Sequence, residues 1–214
     1  MTMPSQSELI TRLTEGLEPV RPLRPRTGLV LVGAATLGTA ILVVLLMGIA
    51  ASVASGHLSP HLLIVNGLLL VLGASASVSV VAMASPSVGS RYDGPKWAMR
   101  MAAILPLAAF LLMLGKPDFA DLLDAYHGFR CAMVGILAST LVAGTLVVWL
   151  RRGAPVSIAR AGLYTGVAAG ALGSASYGLS CPLESIYHLG IWHFLPVAVC
   201  AALGGIAVPG LVRW

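Results

Sequence analysis

Between Arg26 and Arg91 the chain carries no Asp, Glu, Lys or Arg, a charge-free stretch far longer than the ~20 apolar residues one bilayer crossing needs. It therefore predicts two spans. The break falls at Ser55-Gly56-His57-Leu58-Ser59-Pro60, where Gly and Pro punctuate and His interrupts the apolar run. This places span one over 28–53 and span two over 61–85. Further apolar stretches predict a third span over 97–115, with Pro106 inside it and Arg100 snorkelling at its edge. Three more follow over 131–150, 161–180 and 187–212. The predicted fold class is all-α: a polytopic membrane protein whose bundle of six transmembrane helices fills 28–214, preceded by an N-terminal arm over 1–27.

The arm has a pattern of its own. Residues 5–17 open with an S-x-x-E capping box at Ser5 and Glu8, which satisfies backbone donors at a helix start. Leu9, Ile10, Leu13 and Leu17 follow as a narrow apolar stripe. So short an amphipathic helix is marginal alone in water, and its stripe needs a surface. That surface is either the inner leaflet or the protein's own loops, or else a partner's hydrophobic groove. Pro19, Pro22 and Pro25 then recur at every third position, favouring an extended, semi-rigid spacer.

Charge sets the orientation. The arm, the loop at Arg91 and Lys96 with Arg100 at its edge, the loop at Arg151, Arg152 and Arg160, and Arg213 in the tail hold all but two of the 13 basic residues. The positive-inside rule makes these segments cytoplasmic, with both termini on that side. Lys116 and Arg130 are left on the outer side. Trp97, Trp149 and Trp214 fall at the predicted inner edges and Trp192 near the outer one, the usual places of interfacial aromatics. A composition 57% hydrophobic and 10% charged, with a mean hydropathy of +0.91, excludes an ordinary soluble domain. The net charge of +5 is spread over loop ends rather than gathered in one patch, so direct nucleic-acid binding is not expected. The polar, proline-punctuated lead and the long first span give no sign of a cleaved signal peptide.

The candidate chemistry lies on the face that the basic residues avoid. His57, His61, His127, His188 and His193 all fall there, with Cys131 and Cys181. The two cysteines stand about 20 residues before and after the Arg151-Arg152 loop, which carries both to similar height on antiparallel neighbours. Such thiols can close a disulfide, stay as packed inert thiols, or bind a soft metal with imidazole help. His127 is four residues before Cys131, and His188 and His193 lie at the outer end of the sixth span. Neither cysteine belongs to a C-x-x-C motif. Cys200, midway along the sixth span, reads as buried and inert. Asp118, Asp121 and Asp124 with Lys116 read as a solvated helical turn, and Gly162, Gly166 and Gly170 as a stripe for close helix packing.

Several stretches together resemble a known family. They are Leu9-Ile10 to Leu13 and Leu17 with Pro19-Val20-Arg21-Pro22-Leu23, Arg151-Arg152-Gly153-Ala154-Pro155, Gly166 to Gly173 with Tyr177, Cys181-Pro182, and Trp192-His193. They look like the NrsF family of six-span anti-sigma factors. The resemblance implies a bacterial inner-membrane protein, not an enzyme, whose cytoplasmic arm (Leu9, Ile10, Leu13, Leu17) holds an extracytoplasmic-function (ECF) sigma factor. It also implies that an outer-face signal, heavy metal or oxidative stress, acts through two cysteines that fall on Cys131 and Cys181. No cofactor is obligatory on this reading; a soft or transition metal ion (Cu, Zn or Cd) would be the signal at Cys131 and Cys181, with His127, His188 and His193 as candidate helpers. The family pattern places an acidic residue directly after Cys-Pro, whereas Leu183 here intervenes before Glu184. The alternative reading is a metal-handling or transport protein that uses the same Cys and His residues.

Overall fold

The computed structural model describes residues 5–15, 23–86, 94–114 and 125–212, the Leu105 side chain excepted. Leu17, most of the proline-rich spacer, Arg91, Lys116 with Asp118, Asp121 and Asp124, and the tail residues Arg213 and Trp214 lie outside them. Every regular element among the described residues is a helix: α1 (Gln6–Thr14), α2 (Pro25–Met47), α3 (Ala51–Ser55), α4 (Pro60–Met83) and α5 (Gly94–Leu114), then α6 (Ala125–Ala138), α7 (Thr140–Arg151), α8 (Ile158–Gly178), α9 (Ile186–Trp192) and α10 (Leu195–Val212).

Local chemistry sets the helix ends. Ser5 caps α1 by accepting from the Glu8 N–H, as the capping box predicts. Pro25 and Pro60 start α2 and α4 at first-turn positions, where a missing N–H costs nothing. The Ser59 hydroxyl accepts from the Leu62 N–H at 3.2 Å. α2 stops at Met47 because Gly48 turns to φ 81°, a conformation other residues rarely adopt, and the apolar residues after it form the short helix α3 instead.

Among the described residues, five stretches are long and apolar enough to cross a membrane: α2, α4, α5, α6 with α7, and α9 with α10. Large apolar side chains on their outer walls are exposed, Leu45 at 76% and Ile206 at 80%, an exterior suited to lipid rather than water. α8 is as long as α5 but different in kind. It is buried along nearly its whole length and packs against α2, α4, α6, α7 and α10. A helix covered by other helices needs a small surface more than an apolar one, which its Gly, Ala and Ser residues supply. Gly162, Gly166 and Gly170 face the backbone of α10 at Gly204, Cys200 and Pro196, and a Cβ on Gly170 would sit 2.7 Å from the Pro196 carbonyl oxygen.

Two of the long stretches are interrupted. Between α6 and α7 the Ser139 N–H is shared by the carbonyls of Gly135 and Ile136, and its hydroxyl donates to the Gly135 carbonyl at 2.8 Å. The interruption packs on Gly173, where a Cβ would come 2.6 Å from the Ser139 nitrogen. Between α9 and α10 the chain turns at His193 and Phe194, and the His193 carbonyl accepts from the Ser174 hydroxyl of α8 at 2.7 Å. Both breaks therefore rest on α8, and the second faces the candidate site.

Candidate thiol and metal-binding site

α6 presents Cys131 toward α8, and the turn after α8 brings Cys181 back over the end of that helix. Their sulfurs lie 4.0 Å apart. Ser185 caps α9 by accepting from the His188 N–H, which sets His188 in the first turn facing inward. Its Nε2 lies 3.7 Å from the Cys181 sulfur. The ligand atoms of Cys131, Cys181 and His188 all fall within 4.8 Å of one another, and all three residues are buried.

The surroundings are chosen for contact rather than hydration. The Tyr177 hydroxyl lies 3.2 Å from the Cys131 sulfur, and the Cys181 thiol donates to the Leu183 carbonyl at 3.6 Å. Val43, Val134, Ala138 and Leu183 pack around this group. Hydrogen bonding with the Cys131 sulfur, and then burial, push the Cys181 thiol well above the ordinary thiol range, which keeps it protonated at rest. The neighbouring Glu184 faces elsewhere: hydrogen bonding from Ser52, and then Ser59, holds its carboxyl below the usual carboxylate range. It ties the turn after α8 to the loop around α3, with the Ala50 N–H bonded to the Leu179 carbonyl at 3.0 Å beside it. Glu184 is not one of the clustered ligands.

The spacing suits a soft divalent ion. A tetrahedral ion with metal–sulfur bonds of about 2.3 Å and metal–nitrogen bonds of about 2.0–2.1 Å holds two sulfurs roughly 3.8 Å apart, and a sulfur and a nitrogen roughly 3.5 Å apart. The observed separations of 4.0 and 3.7 Å are close to both. A disulfide would need the sulfurs to approach to about 2.05 Å.

Of the residues singled out from the sequence, the fold brings Cys131, Cys181 and His188 together, with His193 beside them. The His193 ring stacks on Tyr177 at 5.7 Å and meets the His188 ring edge-on at 5.9 Å. His127 is not in the cluster: it is exposed on the first turn of α6, its ring edge against Tyr126. Cys200 is buried at the α8–α10 contact, away from this group. Leu9, Ile10 and Leu13 are exposed on α1, which buries none of its residues. The pattern did not single out Tyr177 as a partner of Cys131, although it stands only four residues before Cys181, in the last turn of α8.

Comparison with known proteins decides the family. Residues 13–214 match NrsF, described as a negative regulator of sigma F. The chain belongs to the NrsF family. Among NrsF proteins, it is similar to the "Probable anti-sigma-F factor NrsF" of Azospira oryzae, at 22% identity over 97% of this chain and 98% of that one. It is also similar to the "Anti-sigma-F factor NrsF" of Caulobacter vibrioides, at 32% identity over 50% of this chain and 52% of that one. No solved structure matches the chain.

Proposed function

We propose that this NrsF-family chain is an anti-sigma factor of the bacterial inner membrane, crossing it six times with α8 as the central crossing. Its cytoplasmic arm holds an ECF sigma factor, and the outer-face cysteines release it when they meet a heavy metal or an oxidant. Family membership supports the sigma-factor half. The exposed stripe of Leu9, Ile10 and Leu13 supports the arm as its binding element, since an apolar face that the chain itself leaves open is what a partner's groove covers. The distribution of Arg and Lys supports the orientation.

The observation that carries the sensing half is the buried cluster of Cys131, Cys181 and His188. Two thiols and an imidazole at metal-ligand spacing, without carboxylates, make a donor set for soft or borderline ions such as Cu, Zn or Cd. Oxidation is the second reading, favoured by the sulfurs standing 4.0 Å apart, one on α6 and one in the turn after α8. The deciding experiment is co-purification of the sigma factor with the intact membrane protein, which deletion of residues 1–26 should abolish without loss of membrane insertion. Retention of the sigma factor by the truncated protein refutes the arm as the holding element.

A further inference from the structure

His193 is the least satisfied polar side chain at the site. It is 1% exposed, and neither ring nitrogen has a hydrogen-bond partner. Buried polar atoms are nearly always paired, because leaving one unpaired forfeits its hydration without return. The Nδ1 of His188 is unpartnered as well. His188 still has its Nε2 beside the Cys181 sulfur, so His193, with both ring nitrogens unpaired next to two buried thiols, is the costly member of the packing arrangement and the one a shared ion would satisfy.

We infer that His193 is the fourth ligand of a closed Cys2His2 site for a divalent soft or borderline ion, completed by Cys131, Cys181 and His188. This rests on the metal branch of the function proposed above. Two imidazoles bound to one tetrahedral ion through metal–nitrogen bonds of about 2.0–2.1 Å hold their ring centroids roughly 5 Å apart. The His188 and His193 centroids are already 5.9 Å apart, with the ring planes at 67°. His193 lies outside the 4.8 Å cluster of the other three ligand atoms, so its ring must move inward to share an ion, and the centroids need close by only about 1 Å.

Charge balance is compatible with the same four groups. Cys131 and Cys181 bind as thiolates, with any thiol proton released to solvent, and both imidazoles bind neutral. A divalent ion with two thiolates and two neutral imidazoles has no net charge, so the assembled site avoids the cost of an uncompensated buried ion. Tyr177 remains a hydrogen-bond partner of Cys131. With Cys181 fully buried and His188 2% exposed, a fourth ligand from the protein fits the enclosure better than an open coordination position.

The placement of His193 gives its recruitment a mechanical consequence. It occupies the non-helical turn between α9 and α10, where the Ser174 hydroxyl of α8 bonds its carbonyl. Drawing its ring onto an ion shared with α6 and the turn after α8 joins three segments across this break.

The test uses the reduced, full-length protein in detergent or nanodiscs, with Co2+ and Zn2+ alone as probes. The wild type should give thiolate-to-cobalt charge transfer together with the intense visible bands of four-coordinate Co2+. Zinc X-ray absorption of the wild type should count two sulfurs and two imidazoles, a readout that needs no variant. His193→Phe should keep the charge transfer, lose the four-coordinate bands and weaken Co2+ binding by at least about tenfold. One imidazole in the zinc count, or a His193→Phe protein with wild-type affinity and spectrum, overturns His193 as ligand and leaves a thiolate site standing. Absence of thiolate charge transfer in the wild type overturns both this inference and the metal reading beneath it.

Discussion

The phenol oxygen of Tyr177 stands 3.2 Å from the sulfur of Cys131, joining the last turn of α8 to the second turn of α6. Tyr177→Phe removes that bond and keeps the ring that stacks on His193. We expect a loss of about 1 kcal/mol in stability, the usual worth of one buried hydrogen bond, seen as a lower melting temperature in detergent. Sigma-factor retention should be unchanged, because the arm is not touched. A melting temperature equal to wild type shows that the contact contributes nothing.

The α8–α10 contact makes a sharper demand. A Cβ on Gly166 would run into the carbonyl oxygen and the backbone of Cys200, which cannot swing aside as a side-chain tip can. A Cβ on Gly205 of α10 would meet nothing within 4 Å. Gly166→Ala should therefore destabilise the bundle by about 1–3 kcal/mol, the cost of overpacking, while Gly205→Ala should not. Equal melting temperatures for the two variants contradict the close approach of these helices.

The helical class, the capping box at Ser5 and the glycine stripe of α8 could be read from local spacing, because each depends on neighbours in sequence. The approach of Cys131 and Cys181 was legible as matched height across the Arg151-Arg152 loop. What spacing alone leaves open is set by α8. The break at Ser139 packs where Gly173 lets the backbone settle against it, and the turn at His193 where the Ser174 hydroxyl donates to the freed carbonyl. Periodicity predicts one span over 187–212, yet the chain breaks at His193, which sits against Tyr177 and His188 beside the thiols. His127 shows the converse: its spacing of four from Cys131 is right, but its turn of α6 is exposed. Spacing places a residue on a helix, and only packing says what that helix turn meets.

Metal binding should depend steeply on pH. The Cys181 thiol is held above its ordinary range, so at neutral pH the proton is on and an entering ion must displace it. Displacing the Cys181 proton makes the apparent affinity fall as pH falls, by about tenfold per unit below the thiol range. Titrations of Zn2+ from pH 6 to 8 with proton release measured in parallel check this. An affinity flat across that range would mean that the thiols do not supply thiolates.

On the arm, Leu9, Ile10 and Leu13 share an exposed stripe on α1. Leu13 is 67% exposed, so Leu13→Asp should cost the isolated protein little. At a covered interface the same carboxylate would be buried without a partner, a penalty of several kcal/mol. We expect sigma-factor retention in a pull-down to fall at least tenfold with membrane insertion intact. Unchanged retention would remove the stripe from the interface.

The cysteines test how the two faces communicate. Signal and sigma factor act on opposite sides of the membrane on our reading, so coupling requires two arrangements of the bundle that the occupied site populates differently. α8 is the natural carrier, since the turn bearing Cys181 follows its outer end and Arg160 lies in its first turn at the other. An ion or bond joining Cys131 to Cys181 fixes α6 against that outer end, and the close packing of α8 on α10 passes any tilt along the bundle. Cys131→Ser and Cys181→Ser should each keep the sigma factor bound and fail to release it when Cd2+ or Zn2+ is added. Spontaneous release in both variants would instead mark the pair as a structural tie on which the holding state depends. Normal release in both would move the signal away from the thiols altogether.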